Sequence, residues 1–268
     1  MLSLLGLLAM PTPLRADARL RRFSPAVAGS QSFDHRPFGD LLARYVHVSS
    51  DGVNRVDYTA WRASEAKFAA LRVYIARLQT RTPQSLTRDE QLAYWANLYN
   101  AETLRTVLAA YPVRSILSIR PNLLAIGPWK KPTLMVGGQT LSLDDIENGI
   151  LRPWFNDPRV HYALNCASTS CPNLNVTPWQ GATLERDLDA AARAYVNHPR
   201  GVRIADDGLT LSTIYKWYRA DFGGDHAALL RHLGRFAAPP LAARLAESPR
   251  IAGYDYDWSL NDIAAHHR

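Results

Sequence analysis

The sequence predicts an α+β protein with helices packed on a small antiparallel sheet, and three observations carry that prediction. Apolar residues at helical spacing dominate the chain up to Pro112, whereas short strand–turn–strand signals appear only later, among further helices. No βαβ alternation runs through the chain, so a doubly wound parallel sheet is not expected. The 268 residues are 47% hydrophobic and 21% charged, which suits one main core and excludes a disordered chain, a collagen-like fibre or a coiled coil.

The elements follow in order. Residues 1–18 read as a signal peptide: residues 2–9 form a short apolar stretch, and Ala16-Asp17-Ala18 is an A-x-A cleavage pattern. The protein is therefore expected to be exported, to the periplasm in a bacterium. Residues 19–34 lack periodicity and read as an extended arm, leaving 35–268 as a single domain. Phe38, Leu41, Leu42 and Tyr45 place a helix over 37–47. After the turn at Ser50-Asp51-Gly52 and a short extended piece at 55–58, the stripe of Phe68, Leu71, Tyr74, Ile75 and Leu78 predicts one helix over 59–80. Thr87 and Glu90 form a capping box opening a helix that stops before Pro112. Residues 113–132 are loop. Residues 133–141 read as strand, Gly-Gly turn, strand, and 143–151 as a short helix. The apolar run 160–164 has the length of a buried strand. Then come a helix over 181–197, a hairpin over 201–212, helices over 213–222, 225–236 and 239–247, and a final strand over 251–258.

Formal charge is +7, and the excess is arginine: only Lys67, Lys130, Lys131 and Lys216 are lysines. No RNP, helix-turn-helix or zinc-finger pattern accompanies it, so nucleic acid is not expected as a partner. The basic surface instead suits long-range attraction of anionic glycans, lipids or acidic peptides. No apolar run reaches the length of a membrane-spanning helix. Two cysteines cannot build a disulfide framework or a four-cysteine zinc site, and C-x4-C with one nearby histidine is no recognised ligand spacing, so neither metal nor cofactor is expected.

Two constellations point to chemistry. On the helix after Thr87, Glu90 and Asn97 differ by about 20° in direction and lie about 10 Å apart along the axis, with Asn100 about 60° from Asn97. Asparagine is a poor helix-interior residue, so two in one turn need a reason. A capping box accounts for Glu90, and hydrogen bonds to neighbouring loops account for the asparagines. The second is the stretch from His161 through Asn165, Cys166 and Ser168 to Cys171. A thiol at the end of an apolar run can sit where backbone amides converge, which lowers its pKa. His161 is the nearest base, but five extended residues span roughly 16 Å, so the two meet only if the chain bends sharply. His198, His226 and His232 are other candidates. The plain readings are a buried thiol or a Cys166–Cys171 disulfide, and a satisfied core histidine. A third stretch, from Ser212 through Trp217 to Phe222, is simplest as packing and functionally an aromatic wall to a groove.

Four pieces in this order resemble the DUF547 family, a domain of unknown function: Asp51-Gly52 with Arg55 to Tyr58, Glu90 to Asn100, Gly137-Gly138 to Glu147 running on to His161 and Cys166-Ala167-Ser168, and Ser212 to Phe222. The resemblance implies a relation to papain-like and transglutaminase-like folds, with Cys166, His161, Glu90 and Asn97 lining a groove together with Asn100, Asn165, Ser168 and Trp217. It departs from papain in that the central helix carries no cysteine. The family's plant branch keeps only the first cysteine, which favours Cys166 as the reactive thiol. The expected function is a thiol hydrolase or acyltransferase on an amide or ester, with Cys166 as nucleophile, His161 as base and Glu90 or Asn97 orienting the imidazole. The alternative is a non-catalytic module that binds a peptide or glycan and is closed by a Cys166–Cys171 disulfide.

Overall fold

A computed structural model describes residues 17–25, 28–122 and 124–266, the last two without their side chains. The expected signal peptide lies outside the described residues apart from Asp17 and Ala18. Asp17 caps a 3-10 helix, Ala18–Phe23, by accepting from the Arg19 N–H. The expected arm is thus only partly extended. Leu20 and Phe23 are buried, and the Phe23 ring meets Trp95 edge-on at 5.2 Å between centroids. These two side chains gave no periodic signal because they sit in one isolated turn.

The architecture is mixed α+β. Helix α1 (Arg36–Tyr45) leads into a β1–β2 hairpin (Val46–Val48, Asn54–Val56) and helices α2 (Tyr58–Ala63) and α3 (Glu65–Gln79). The helix predicted over 59–80 is therefore two. Ser64 is extended at the junction, where its own N–H closes the first helix onto the Trp61 carbonyl. Serine side chains compete for backbone groups, which makes such a residue a natural break. Helix α4 (Arg88–Ala110) runs through the centre and is buried on nearly all sides from Glu90 to Thr103. Leu92, Trp95 and Tyr99 form one of its faces, but Ala93, Leu98 and Ala101 are as deeply buried.

The hairpin β3–β4 (Leu134–Val136, Gln139–Leu141) turns at Gly137 and Gly138, both at positive φ (53° and 76°), as a two-residue hairpin loop requires. A π-helical stretch, Asp145–Leu151, continues directly into α5 (Arg152–Phe155). The strand expected at 160–164 is instead a single helical turn, α6 (Val160–Ala163). Asp157 accepts from the Arg159 N–H and the Pro158 carbonyl from the His161 N–H, so a local helix start takes up this segment. Helix α7 (Leu184–Val196) precedes β5 (Val202–Ala205) and β6 (Gly208–Ser212), an antiparallel hairpin. Then come α8 (Ile214–Trp217), α9 (His226–Phe236), α10 (Pro239–Ala246), β7 (Ile251–Asp255) and α11 (Ile263–His266).

β7 pairs with β6 in parallel, which corrects the purely antiparallel expectation. The intervening helices α8 to α10 supply the crossover that parallel pairing needs. Buried side chains form two clusters. The larger surrounds α4, and the smaller joins α7, α9, α10 and the three-stranded sheet through Tyr162, Tyr195, Tyr215 and Phe222. The segment from α6 to Cys171 lies along the seam between them.

Candidate functional site

The loop carrying Cys166 is held by side chains rather than by a sheet. From α4, the Asn100 amide donates to the Ala163 carbonyl (2.9 Å) and its oxygen accepts from the Asn165 N–H (2.8 Å). Asn165 closes the loop in turn: its oxygen accepts from the Ala167 N–H (3.0 Å) and its amide donates to the Pro172 carbonyl (2.7 Å). Ala167 is left-handed, at φ 61°, a strained conformation for a residue with a Cβ, so the chain turns sharply just after the thiol. Beyond it, the loop zips antiparallel onto residues 257–261. Asn261 N–H donates to the Ala167 carbonyl, Thr169 N–H to Ser259 and Ser170 N–H to Asp257. That zip delivers Tyr256 to the sulfur from 90 residues away.

Cys166 is partly exposed and Cys171 buried, and both are free thiols, so the disulfide of the alternative reading is not formed here. Around Cys166 Sγ stand the Ser168 hydroxyl (3.1 Å) and the Tyr256 hydroxyl (3.1 Å), which also bond each other at 2.9 Å. Burial pushes the Cys166 thiol up. Hydrogen bonding from the Cys171 thiol, the two hydroxyls and the Ser168 backbone N–H outweighs it, so the pKa falls below the ordinary thiol value. Cys171 goes the other way, raised by burial and by its bond to Cys166, and stays the protonated partner. The Cys166 N–H is spent on Cys171 Sγ at 2.9 Å.

Among the described residues no imidazole is bonded to either sulfur. The His161 ring is fixed elsewhere: its Nε2 bonds Asp221 Oδ2 at 2.7 Å, its face stacks on Tyr218 at 4.1 Å, and Phe222 lies at 5.3 Å. Asp221 is held in turn by a bidentate Arg152 fork (2.5 and 2.9 Å), whose guanidinium lies 4.8 Å over the Tyr218 ring. Burial raises the Asp221 carboxyl, but His161 and Arg152 bring it down to about 2. Burial, then the neighbouring Glu147 carboxylate, lifts the Tyr218 hydroxyl well above its usual value, and Cys166 adds to the same effect. Glu147 and Cys166 therefore both act electrostatically on Tyr218, whose ring packs against His161 and Arg152.

Glu90 and Asn97 are not part of this assembly. The Glu90 carboxylate bonds His35 Nε2 (2.8 Å) and accepts from the Gly181 N–H (2.8 Å). Asn97 pairs with the Trp179 backbone in both directions and reaches His35 Nδ1 at 3.2 Å, where the Tyr74 hydroxyl also arrives at 2.6 Å. This buried group fastens α1, α3 and α4 to the loop at 179–181. Only half of the expected capping box forms: Thr87 accepts from the Glu90 N–H, while the Glu90 carboxylate turns inward to His35. The carboxylate that orients His161 is Asp221, which sequence reasoning passed over within an aromatic stretch. Its one usable signal was a lone acid among Tyr215, Trp217, Tyr218 and Phe222.

Of the expected groove residues, Asn100, Asn165 and Ser168 are buried, acting as braces and sulfur partner rather than as groove walls. Trp217 does stand at the site's edge. It contacts Tyr256 (4.9 Å) and Trp258 (5.5 Å), and Trp258 contacts Tyr256 (4.6 Å) and Trp129 (5.7 Å), giving a run of partly exposed rings that ends on the thiol. A cavity of about 250 Å³ between α7 and residues 173–177, lined by Asn173, Asn175, Thr177 and Arg200, does not reach Cys166. His198 bonds the Asp51 carbonyl and His232 the Tyr162 hydroxyl, so neither serves the thiol. Among the described residues no helix is long and apolar enough to cross a membrane.

No curated protein and no solved structure matches the chain. Residues 83–196 match the family model described as "Protein of unknown function, DUF547", a span that holds α4, the β3–β4 hairpin, Glu147, Arg152, His161 and the whole Cys166–Cys171 loop, while Asp221, Trp217 and Tyr256 lie outside it. Over that segment the chain is similar to the DUF547 family.

Proposed function

We propose that this domain is a thiol-dependent acyl-transfer enzyme acting on an amide or ester, with Cys166 as nucleophile. The observation that carries the reading is the convergence of two hydroxyls and a backbone N–H on the sulfur of a partly exposed cysteine, which favours the thiolate. In the reaction the thiolate forms an S–C bond to the substrate carbonyl. The C–N or C–O bond breaks, the leaving amine or alkoxide takes a proton, and water or a second acceptor cleaves the thioester and restores the thiol. The Tyr256 hydroxyl, released from the sulfur as its charge moves to the carbonyl oxygen, becomes a donor to that oxyanion, while the Ser168 hydroxyl donates to the Tyr256 oxygen and strengthens it as a donor. The leaving group takes its proton from water, and His161, its Nε2–H donated to Asp221, accepts at Nδ1 the proton of the water that cleaves the thioester and returns it to the departing sulfur, so Asp221 takes the orienting role that sequence reasoning gave to Glu90 or Asn97.

The test is the wild-type chain and Cys166→Ala incubated with a p-nitrophenyl ester. The wild type should release nitrophenol and carry the acyl group on Cys166 by peptide mass spectrometry. The alanine variant should do neither while melting at nearly the same temperature. Equal release by the variant, or no acyl group on Cys166 in the wild type, overturns the assignment.

A further inference from the structure

The loop between α4 and β3 holds the most exposed large apolar side chain among the described residues and a second one two positions on. Leu124 is 94% exposed and Ile126 54% exposed, two adjacent large apolar side chains held out on one loop. The Asn122 carboxamide accepts from the Leu124 N–H at 3.0 Å, the Ala125 N–H returns to the Asn122 carbonyl, and the Trp129 carbonyl accepts from the Asp144 N–H. The arm that follows the apolar residues is thus anchored at Trp129 to the start of the π-helical stretch.

Its surroundings are basic. Arg120, Lys130 and Lys131 are exposed on the two arms of the same loop, and two of the chain's four lysines are this adjacent pair. Trp129, partly exposed beside them, has an indole suited to the boundary between water and acyl chains. An exposed leucine and isoleucine flanked by cations and a tryptophan is the composition of a segment that sits in a lipid interface. The apolar tips enter the acyl boundary while the cations meet anionic headgroups. A protein partner would cover apolar area without needing the cations, and a nucleic acid would need the cations without the apolar tip. From this combination we propose that residues 124–131 dock the protein on an anionic bilayer surface.

The docking does not depend on the acyl-transfer reading, but the geometry joins the two. Trp129 contacts Trp258, Trp258 contacts Tyr256, and the Tyr256 hydroxyl is at 3.1 Å from Cys166 Sγ. The loop and the thiol are the two ends of one run of aromatic rings, so docking through the loop sets the thiol near the lipid surface, within reach of amphiphilic or lipid-anchored substrates.

Sedimentation with vesicles tests it, using equimolar phosphatidylglycerol and phosphatidylcholine against phosphatidylcholine alone. The full-length wild type is compared with L124D/I126D and with K130E/K131E. All three share the same N-terminus, so the apolar residues 2–9 contribute equally. The wild type should bind the anionic vesicles and lose affinity with added salt. The lysine variant should bind at least tenfold more weakly, at about fivefold per charge removed, and the apolar variant should lose binding to a similar degree with an unchanged melting temperature. Equal sedimentation of wild type and both variants overturns the proposal. So does full binding by L124D/I126D, which would make the site a purely electrostatic one for any polyanion.

Discussion

Tyr256→Phe isolates the feature on which the chemistry rests, since it deletes one hydroxyl and leaves the ring among Trp217 and Trp258. That hydroxyl lies 3.1 Å from Cys166 Sγ, and bonding from it is among the causes that hold the thiol pKa below its ordinary value. A hydrogen bond to a charged acceptor contributes about 1.5 kcal/mol at the low end of the measured range, the fitting end for a diffuse sulfur anion. That corresponds to a rise of about one pH unit in the thiol pKa and an approximately tenfold loss of thiolate on the acid side of the titration. The assay is the pH dependence of iodoacetamide alkylation of Cys166, read by peptide mass spectrometry. Buried Cys171 serves as the slow internal control. Ser168→Ala should act in the same direction, and the double variant should cost less than the sum, because the two hydroxyls also bond each other at 2.9 Å. An alkylation profile that does not move in Tyr256→Phe would refute the argument that hydroxyl donors set the thiolate.

Glu90→Ala leaves His35 Nε2 and the Gly181 N–H without their carboxylate partner, so it should lower stability by about 3 kcal/mol in urea unfolding while Cys166 alkylates at the wild-type rate. Burial, and after it Arg235, lowers His232 to about 4. Its folded pKa is below the unfolded value of 6.5, so the unfolded chain binds more protons and stability falls as pH drops from 6.5 to 4, by about 3 kcal/mol in all; His232→Phe should flatten that limb of the stability–pH curve. Asp221, at about 2 in the folded state against 3.8, behaves as a depressed carboxylate. Its contribution of about 2 kcal/mol is present above pH 3.8 and lost as pH falls towards 2, and acid unfolding of Asp221→Asn should lack that step.

The fold was legible wherever a segment met only the core. The helix from Thr87 to Pro112, the glycine hairpin at 137–138 and the hairpin over 201–212 all follow from periodicity and turn chemistry, which are local. The misreadings occurred where a non-local partner decides. Val160–Ala163 has a composition that suits strand or helix, and the turn that Asp157 and Pro158 start settles it as helix. The parallel pairing of β7 with β6 depends on a connection of three helices that no local pattern encodes. For the site, the thiol and its brace were visible: Cys166, Asn100, Asn165 and Ser168 do come together. The partners were assigned by nearness in sequence or along one helix face, and the structure pairs them otherwise. Asp221 orients His161, Tyr256 meets Cys166, and His35 takes Glu90 and Asn97. An unpaired asparagine on a helix shows that a polar partner is needed, without showing which loop supplies it.

The choice of hydroxyls over an imidazolium as the sulfur's companions has a kinetic signature of its own. A thiolate paired with imidazolium exists only between two titrations, since losing the proton from either partner changes the pair, and its reactivity is bell-shaped in pH. A thiolate held by Ser168, Tyr256 and a backbone N–H has one titration of its own, because burial pushes the Tyr256 hydroxyl well above its ordinary pKa and keeps it a donor throughout the range where the thiol ionises. Alkylation of Cys166 should therefore rise once and reach a plateau. Neutral donors are also little affected by screening, so the plateau and the apparent pKa should hold between low and high salt, where an ion pair open to solvent would weaken. A descending limb that disappears in His161→Gln would show instead that the imidazole swings onto the sulfur in solution, and the division of labour between His161 and the two hydroxyls would have to be reversed.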